Sequence, residues 1–316
     1  MDELKNKIID DVILRMKESL MDDHQTPKLA LPLINSKSKF IRSTLLMQVA
    51  FINKKVNSKD IIKACSVIEL LHLASLIHDD IIDDSSLRRN IPTINSTSGN
   101  EIALIAGDYI LTKSIKLAYD LSPPISECLI DAFLEICEGQ YFELKDQNKI
   151  RRTVHSYLNA INGKTATLFG YSLKTGAILA ELPQKQINAL FNFGINFGII
   201  FQLLDDFLDY FSTEQKLNKP IFQDFKEKNF TYPLIILDKE AKDLILKAKS
   251  LEEIIKILIK NNAIQKTIDL INKYQAKAFN DLDPFPKLHF LKEYINTYFN
   301  NQINQKINPK YNSYLQ

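Results

Sequence analysis

Only eight glycines and eleven prolines interrupt the 316 residues. So few breakers leave little material for a turn-rich architecture. With 45% hydrophobic residues, they point to long helices joined by few turns. Charge of one sign is also missing: 40 basic residues against 38 acidic ones leave +2, which gives no electrostatic case for nucleic acid. The three cysteines, Cys65, Cys128 and Cys137, are odd in number and lack C-x-x-C spacing. Each lies in an apolar helical run, so buried thiols and a reducing, cytoplasmic setting are expected. No apolar run reaches about 18 residues free of charge, so no membrane span is expected. The N-terminal MDELKNKIIDD has no apolar core of a signal peptide. No Ser/His/Asp or Cys/His constellation offers a protein nucleophile. The length suffices for a large core, read here as one all-α domain over 1–316.

What is present is acid in apolar surroundings. In LIHDDIIDDSSLRR, from Leu76 to Arg89, Asp79 and Asp83 sit at i and i+4 with Asp80 beside them. Like charges at that spacing destabilise a helix. The flanking Leu70, Leu71, Leu73, Ala74, Leu76, Ile77, Ile81 and Ile82 predict a buried helix, in which carboxylates need partners. Oxygen ligands without a soft neighbour suit Mg²⁺, which takes one or two carboxylates plus substrate phosphates. One such cluster could equally be a solvated acidic face. FQLLDDFLDYF repeats the pattern at Asp205, Asp206 and Asp209. Two D-D-x-x-D sets on two buried helices could face each other and clamp a diphosphate through several metal ions.

With two such sets in this order, the chain resembles the trans-isoprenyl diphosphate synthases, the polyprenyl synthetase family, from about Lys39 to Pro233. The resemblance implies the all-α isoprenoid synthase fold, helices around a deep central cavity, and homodimers. It implies Mg²⁺-dependent condensation of isopentenyl diphosphate onto an allylic diphosphate such as farnesyl diphosphate. The metal would be held by Asp79, Asp80, Asp83, Asp205, Asp206 and Asp209.

Basic residues follow the same pattern. SKSKFIRS opens a helix in which Lys39 and Arg42, three apart, share a face. They match the lysine and last arginine of the family's G-G-K-R-x-R-P, while Lys37, Ser38, Phe40 and Ser43 depart from it. Lys39, Arg42, His72 and Arg89 are thereby implied to bind isopentenyl diphosphate. Arg88, Lys164, Thr165 and Lys219 are implied to serve the allylic diphosphate. Gln202 matches the family's F-Q-x-x-D-D. Gln140 and Glu143 fall where a polar pair lines the cavity. Lys219, Pro220 and Asp224 match parts of G-K-P-x-G-x-D, with Asn218 and Phe222 in place of its glycines. Thr231 and Pro233 match a later T-x-P. Asn229 stands where a basic residue is usual, with Lys228 beside it. His78 is read as structural.

Product length in this family is set beneath the first acidic set. Ala74 and Ser75, five and four residues before Asp79, point one turn down the helix. Small residues there imply an open tunnel and a long, octaprenyl-type product for quinone side chains, with Leu71 and Phe133 as candidates for its floor. A farnesyl or geranylgeranyl synthase is the shorter-chain alternative, although the two-residue gap of D-D-x-x-D differs from bacterial farnesyl synthases. A terpene cyclase would carry N/D-D-x-x-S/T-x-x-x-E as its second motif. A non-catalytic subunit of a hetero-oligomeric synthase would fit the eroded basic segments, but need not keep six aspartates.

Local signals fix several boundaries. Leu4, Ile8, Val12, Met16 and Leu20 predict an amphipathic helix over 4–20. Ser58 is read as the N-cap of a helix over Lys59 to Asp84, and 85–100 as a loop. The helix of IALIAGDYILTKSIKLAYDL is expected to be buried, and the next to begin at Ser126. Gly163-Lys164-Thr165 is read as a helix break. Ser250 with Glu253 predicts a capping box. The tail beyond Asn308 is expected to be loose.

Overall fold

The computed structural model describes residues 2–21, 25–36, 38–217 and 220–314. Lys37, Asn218 and Lys219 lie outside the described residues, as does the side chain of Leu4. The chain is all-α apart from one two-stranded hairpin, as expected. It divides into two compact units: 1–134 with 171–191, and 135–170 with 192–316.

The first unit begins with α1 (Asp2–Leu20), α2 (Leu31–Asn35), α3 (Ile41–Ala50) and α4 (Ser58–Ile82). The i, i+4 spacing buries Ile8, Val12, Met16 and Leu20 on one face of α1. Each such side chain stabilises the fold by roughly 1.5–3 kcal/mol. The cap of α4 is Asn57, not Ser58: its side chain accepts from the Lys59 N–H at 3.0 Å. An amide oxygen one residue earlier reaches the first free N–H groups, so Ser58 becomes helical.

α4 stops at Ile82, and Asp83 is its C-cap. The expected loop 85–100 is instead built. Strands β1 (Leu87–Arg88) and β2 (Ile91–Pro92) pair antiparallel, with Leu87 opposite Pro92. Arg89 and Asn90 both take φ near +60°, the signature of a tight hairpin turn. The short α5 (Ile94–Ser98) follows, capped by Thr93 Oγ1 on the Ser96 N–H. α6 (Asn100–Tyr119) packs along α4. It is not buried all round, because Leu104, Ile105, Ile115 and Tyr119 are exposed. α7 (Pro123–Asp146) starts at the prolines rather than at Ser126, since proline suits a first helical turn. α7, α9 (Thr167–Leu179) and α10 (Gln184–Phe211) each contribute residues to both units. Cys137, on α7, is exposed, whereas Cys65 and Cys128 are buried as expected.

In the second unit α8 (Val154–Ile161) is capped by Thr153. It runs into a π-helical turn over Asn162–Ala166 and then α9, so no helix break occurs at Lys164. Short helices α11 (Glu214–Leu217), α12 (Gln223–Lys226) and α13 (Tyr232–Ile235) follow α10. The unit closes with α14 (Lys239–Lys247), α15 (Leu251–Lys260), α16 (Ala263–Leu282) and α17 (Phe290–Lys306). Ser250 caps α15 as predicted, but Glu253 reaches back to the Lys249 N–H rather than to Ser250. The tail is anchored. Pro309–Tyr314 form a 3₁₀ turn, and Tyr311 lies edge-on against Phe211 at 5.6 Å. α4 and α10 are long and apolar enough to cross a membrane by length and composition. Much of each is buried inside the protein, as core helices of soluble folds also are.

Candidate active site

In the first unit α4 carries the acids at its C-terminal end. Asp80 is buried, Asp79 half-buried and Asp83 exposed. The apolar flanks therefore enclose only part of the set, because the helix leaves the core at Ile81. The hairpin folds Arg88 back onto Asp80. Its Nε and Nη2 donate to one carboxylate oxygen, Oδ1, at 2.8 and 2.7 Å. The other oxygen, Oδ2, is buried with no hydrogen-bond partner. Burial raises the Asp80 pKa, and Arg88 opposes that rise. Asn95 on α5 donates to the Asp80 and Ser85 carbonyls and pins the loop.

Arg42 and His72 meet across α3 and α4 at 3.3 Å. Desolvation, with Arg42 next in weight, holds the His72 pKa well below its ordinary value, so a neutral ring accepts from the guanidinium. Lys39 is exposed and precedes α3, so it shares no helical face with Arg42. Phe40 occupies the left-handed region at φ 46°, which turns the chain between them. Arg89 is exposed at the hairpin tip and donates to Ser36 Oγ at 3.2 Å. Ser43, where the family pattern has proline, gives both its N–H and its hydroxyl to the buried Glu69. Glu69 was not picked out from sequence, although it lies one turn before His72. Ala74 is fully buried, and Ser75 is half-buried with its hydroxyl on the His72 carbonyl. Leu71 is buried and Phe133 half-buried. His78 pairs with Asp108 at 3.3 Å, over Gly107, where a Cβ would meet its ring.

In the second unit α10 carries Gln202, Asp205, Asp206 and Asp209. Asp206 and Asp209 are buried and Asp205 is exposed. Asp206 receives the Tyr157 hydroxyl on Oδ2 and the Gln202 amide on Oδ1, the latter at 2.7 Å. Thr165 in turn donates to Gln202 Oε1 at 2.8 Å. Burial pushes Asp206 up to about 7, and Asp205 and Glu143 add to that, while the two donors pull it down. Asp209 binds the next loop: the N–H groups of Gln223 and Asp224 donate to its two oxygens at 3.2 and 3.3 Å. Phe222, in a glycine position of the pattern, has φ 58° and a buried ring edge-on to Tyr210.

Lys164 projects from the π turn and pairs with Glu143 at 2.5 Å. Gly139 and Gly163 let the two backbones approach closely, since a Cβ on Gly139 would lie 2.1 Å from the Lys164 backbone nitrogen. Asn229 donates to the other Glu143 oxygen at 3.3 Å. Lys228 is exposed, and it is Asn229 that joins the cluster. Gln140 is half-buried, its Nε2 without a partner. Thr231 is buried against the Tyr210 hydroxyl, and Pro233 lies in the first turn of α13. Tyr157 was not anticipated. Its one sequence signal is a position seven residues before Lys164, two turns up the same face.

Among the described residues no three His, Cys, Asp or Glu groups converge on one point. The donor set still fits a hard divalent cation, which needs one or two carboxylates and takes its remaining ligands from phosphate and water. The buried, unpartnered Oδ2 of Asp80 has the chemistry of such a ligand.

Residues 25–271 match the family model for polyprenyl synthetase. The chain belongs to that family. It is an enzyme of the prenyltransferase class, among the trans-prenyl diphosphate synthases, a family that uses divalent metal. It is 33% identical to the heptaprenyl diphosphate synthase component 2 of Bacillus subtilis, over 70% of this chain and 66% of that protein. It is 32% identical to an all-trans-nonaprenyl-diphosphate synthase (geranyl-diphosphate specific) of Rhodobacter capsulatus, over 83% and 84% of the two chains. Among solved structures it resembles a polyprenyl synthase from Caulobacter crescentus complexed with calcium and isoprenyl diphosphate. The TM-score is 0.81 at 27% identity, over 90% of each chain.

Proposed function

We propose that this family member is a long-chain all-trans polyprenyl diphosphate synthase, which adds isopentenyl diphosphate repeatedly to an allylic primer such as farnesyl diphosphate. The observation that carries the reading is Asp80: one oxygen locked on Arg88, the other buried and unpartnered in a D-D-x-x-D set. A buried carboxylate oxygen left over in this way is suited to a cation. The metal is proposed to be Mg²⁺, with Asp79, Asp80, Asp83, Asp205, Asp206 and Asp209 as its ligands. When bound, it supplies the charge that stabilises a departing diphosphate.

The chain's own side chains do the rest. Arg88, Lys164 and Lys219 neutralise the allylic diphosphate, and Thr165 offers it a hydroxyl. Lys39, Arg42, His72 and Arg89 hold isopentenyl diphosphate. A neutral His72 backs the Arg42 guanidinium without competing for its charge. Gln202 orients Asp206. Charge neutralisation lets the allylic C–O bond ionise, the double bond of isopentenyl diphosphate attacks the cation, and the proton leaves to the released diphosphate.

An octaprenyl-type product for quinone side chains, a cytoplasmic place of action and a homodimer belong to the same reading. The exposed apolar residues of α6 support the dimer. The burial of α4 and α10 within the protein supports an aqueous location. A second reading, a subunit that depends on a different partner, is favoured by Asn229 at a basic position and by a relative named as one component of a synthase. Purified protein with Mg²⁺, labelled isopentenyl diphosphate and farnesyl diphosphate separates the two. A ladder of long products ending sharply is expected. Folded protein that incorporates nothing would move the assignment to the partner-dependent subunit.

A further inference from the structure

Arg152 lies in the turn before α8, and only 5% of it is exposed. Its Nη1 donates to Asn229 Oδ1 at 3.4 Å, and its Nε is 3.8 Å from Asp146 Oδ2. The guanidinium carbon sits 5.3 Å from the Tyr157 ring centroid. Nε and Nη2 are buried without a hydrogen-bond partner. A guanidinium held with two donor groups unsatisfied is costly, and an apolar side chain would fill the space at lower cost. What the charge does is readable from its neighbours.

We infer that Arg152 is a positioning residue for the reaction, acting through Asn229 and Glu143 on Lys164 and through Tyr157 on Asp206. The inference rests on the proposed function. The first branch is a chain of three bonds. Arg152 takes the Asn229 oxygen, so the Asn229 NH₂ must face Glu143. Asn229 then occupies one Glu143 oxygen and leaves the other for Lys164. Without Arg152 the amide is free to turn over, and Glu143 is no longer held from behind. Lys164 follows Glu143. The second branch is shorter. The guanidinium lies against the ring whose hydroxyl donates to Asp206. Arg152 bonds to neither Lys164 nor Asp206, so it places them rather than touching substrate.

A purely structural Arg152 would pin its turn to Asp146 and nothing more. Arg152→Gln removes the charge and keeps a shorter polar side chain. Its expected effect is a loss of about tenfold or more in kcat and a rise in KM for the allylic diphosphate, with KM for isopentenyl diphosphate unchanged. Binding of inorganic diphosphate with Mg²⁺, read by calorimetry, should weaken by a similar factor. Asn229→Lys alone places a second cation against Arg152 and should also impair the enzyme. The double variant R152Q/N229K returns one cation behind Glu143 and should recover most of the loss. Should R152Q fail to fold by circular dichroism, Arg152→Lys carries the test, with a smaller loss in the same parameters. The inference is overturned if the folded single variant matches the wild type, or if R152Q/N229K recovers nothing. A wild type that neither incorporates isopentenyl diphosphate nor binds diphosphate would overturn the proposed function as well, a result distinct from either.

Discussion

At Asp206 burial and hydrogen bonding pull in opposite directions. Burial raises the carboxyl from its ordinary 3.8 to about 7, even though Tyr157 and Gln202 both donate to the ionised form. An acid whose folded pKa lies above its unfolded value stabilises the fold below the unfolded value. That contribution is lost as pH rises through the folded one. In metal-free protein the Asp206 contribution is therefore expected to be lost between pH 3.8 and about 7, and Asp206→Asn to remove that part of the pH dependence. Urea midpoints measured against pH in chelator check it. Unchanged pH dependence in the variant would remove Asp206 as the source. Added Mg²⁺ should reverse the loss in the wild type, since a cation favours the ionised carboxylate. The acids themselves were legible, because two D-D-x-x-D sets in apolar runs are a local pattern. Their partners were not. Tyr157 lies 49 residues from Asp206, and no spacing rule joins a donor on α8 to an acceptor on α10. Arg152 was invisible for the same reason: a basic residue in a polar stretch reads as solvated until the fold buries it.

α4 carries the two positions proposed to control product length. Ala74 and Ser75 are adjacent in sequence but differ in surroundings, one fully buried and the other half-buried. An aromatic ring at 75 has somewhere to go, whereas one at 74 must displace packed neighbours, typically at about 1–3 kcal/mol. Ser75→Phe is expected to shorten the product by one or more isoprene units with little change in melting temperature. Ala74→Phe should lower the melting temperature as well. Chromatography of dephosphorylated products, beside thermal melts, reads both. An unaltered product from S75F would remove position 75 from length control. The long helices α1, α4, α6, α7 and α10 were readable from periodicity, with disagreement mostly at their ends, whereas α5, α14 and α16 were not singled out. Asn57 displaced Ser58 as cap because side-chain reach decides a cap, not residue type alone. The segment 85–100 read as loop because its Ser, Asn and Gly content is turn-like. Arg88 and Arg89, two large residues, gave no sign that the second would adopt a positive φ. The tail failed the same way: Tyr311 packs on Phe211, a contact between residues 100 apart.

For the whole molecule, we propose that 1–316 unfold as one domain. All three crossings between the compact units fall inside helices, at 134/135 in α7, 170/171 in α9 and 191/192 in α10. Helix formation is cooperative, so melting one half of such a helix destabilises the other. Calorimetry should show a single transition, and two resolved transitions would argue for separate domains. We propose a homodimer, because folding leaves one apolar surface uncovered. Leu104, Ile105, Ile115 and Tyr119 of α6 are 51, 54, 42 and 84% exposed. Leu104 and Ile115 lie within about 20° of each other around the helix axis, three turns apart. Monomeric proteins rarely leave so extended an apolar stripe in water, and a second copy would cover it. Sedimentation of the wild type should give twice 36.3 kDa, and L104E/I115E should shift the mass toward the monomer while the helical spectrum is kept. Incorporation of isopentenyl diphosphate by the same samples then tells what association does. Loss in the monomeric variant alone would tie activity to the dimer. A wild type that stays monomeric and inactive, yet becomes active when a different subunit is added, would assign this face to that subunit and make the chain one component of a larger synthase.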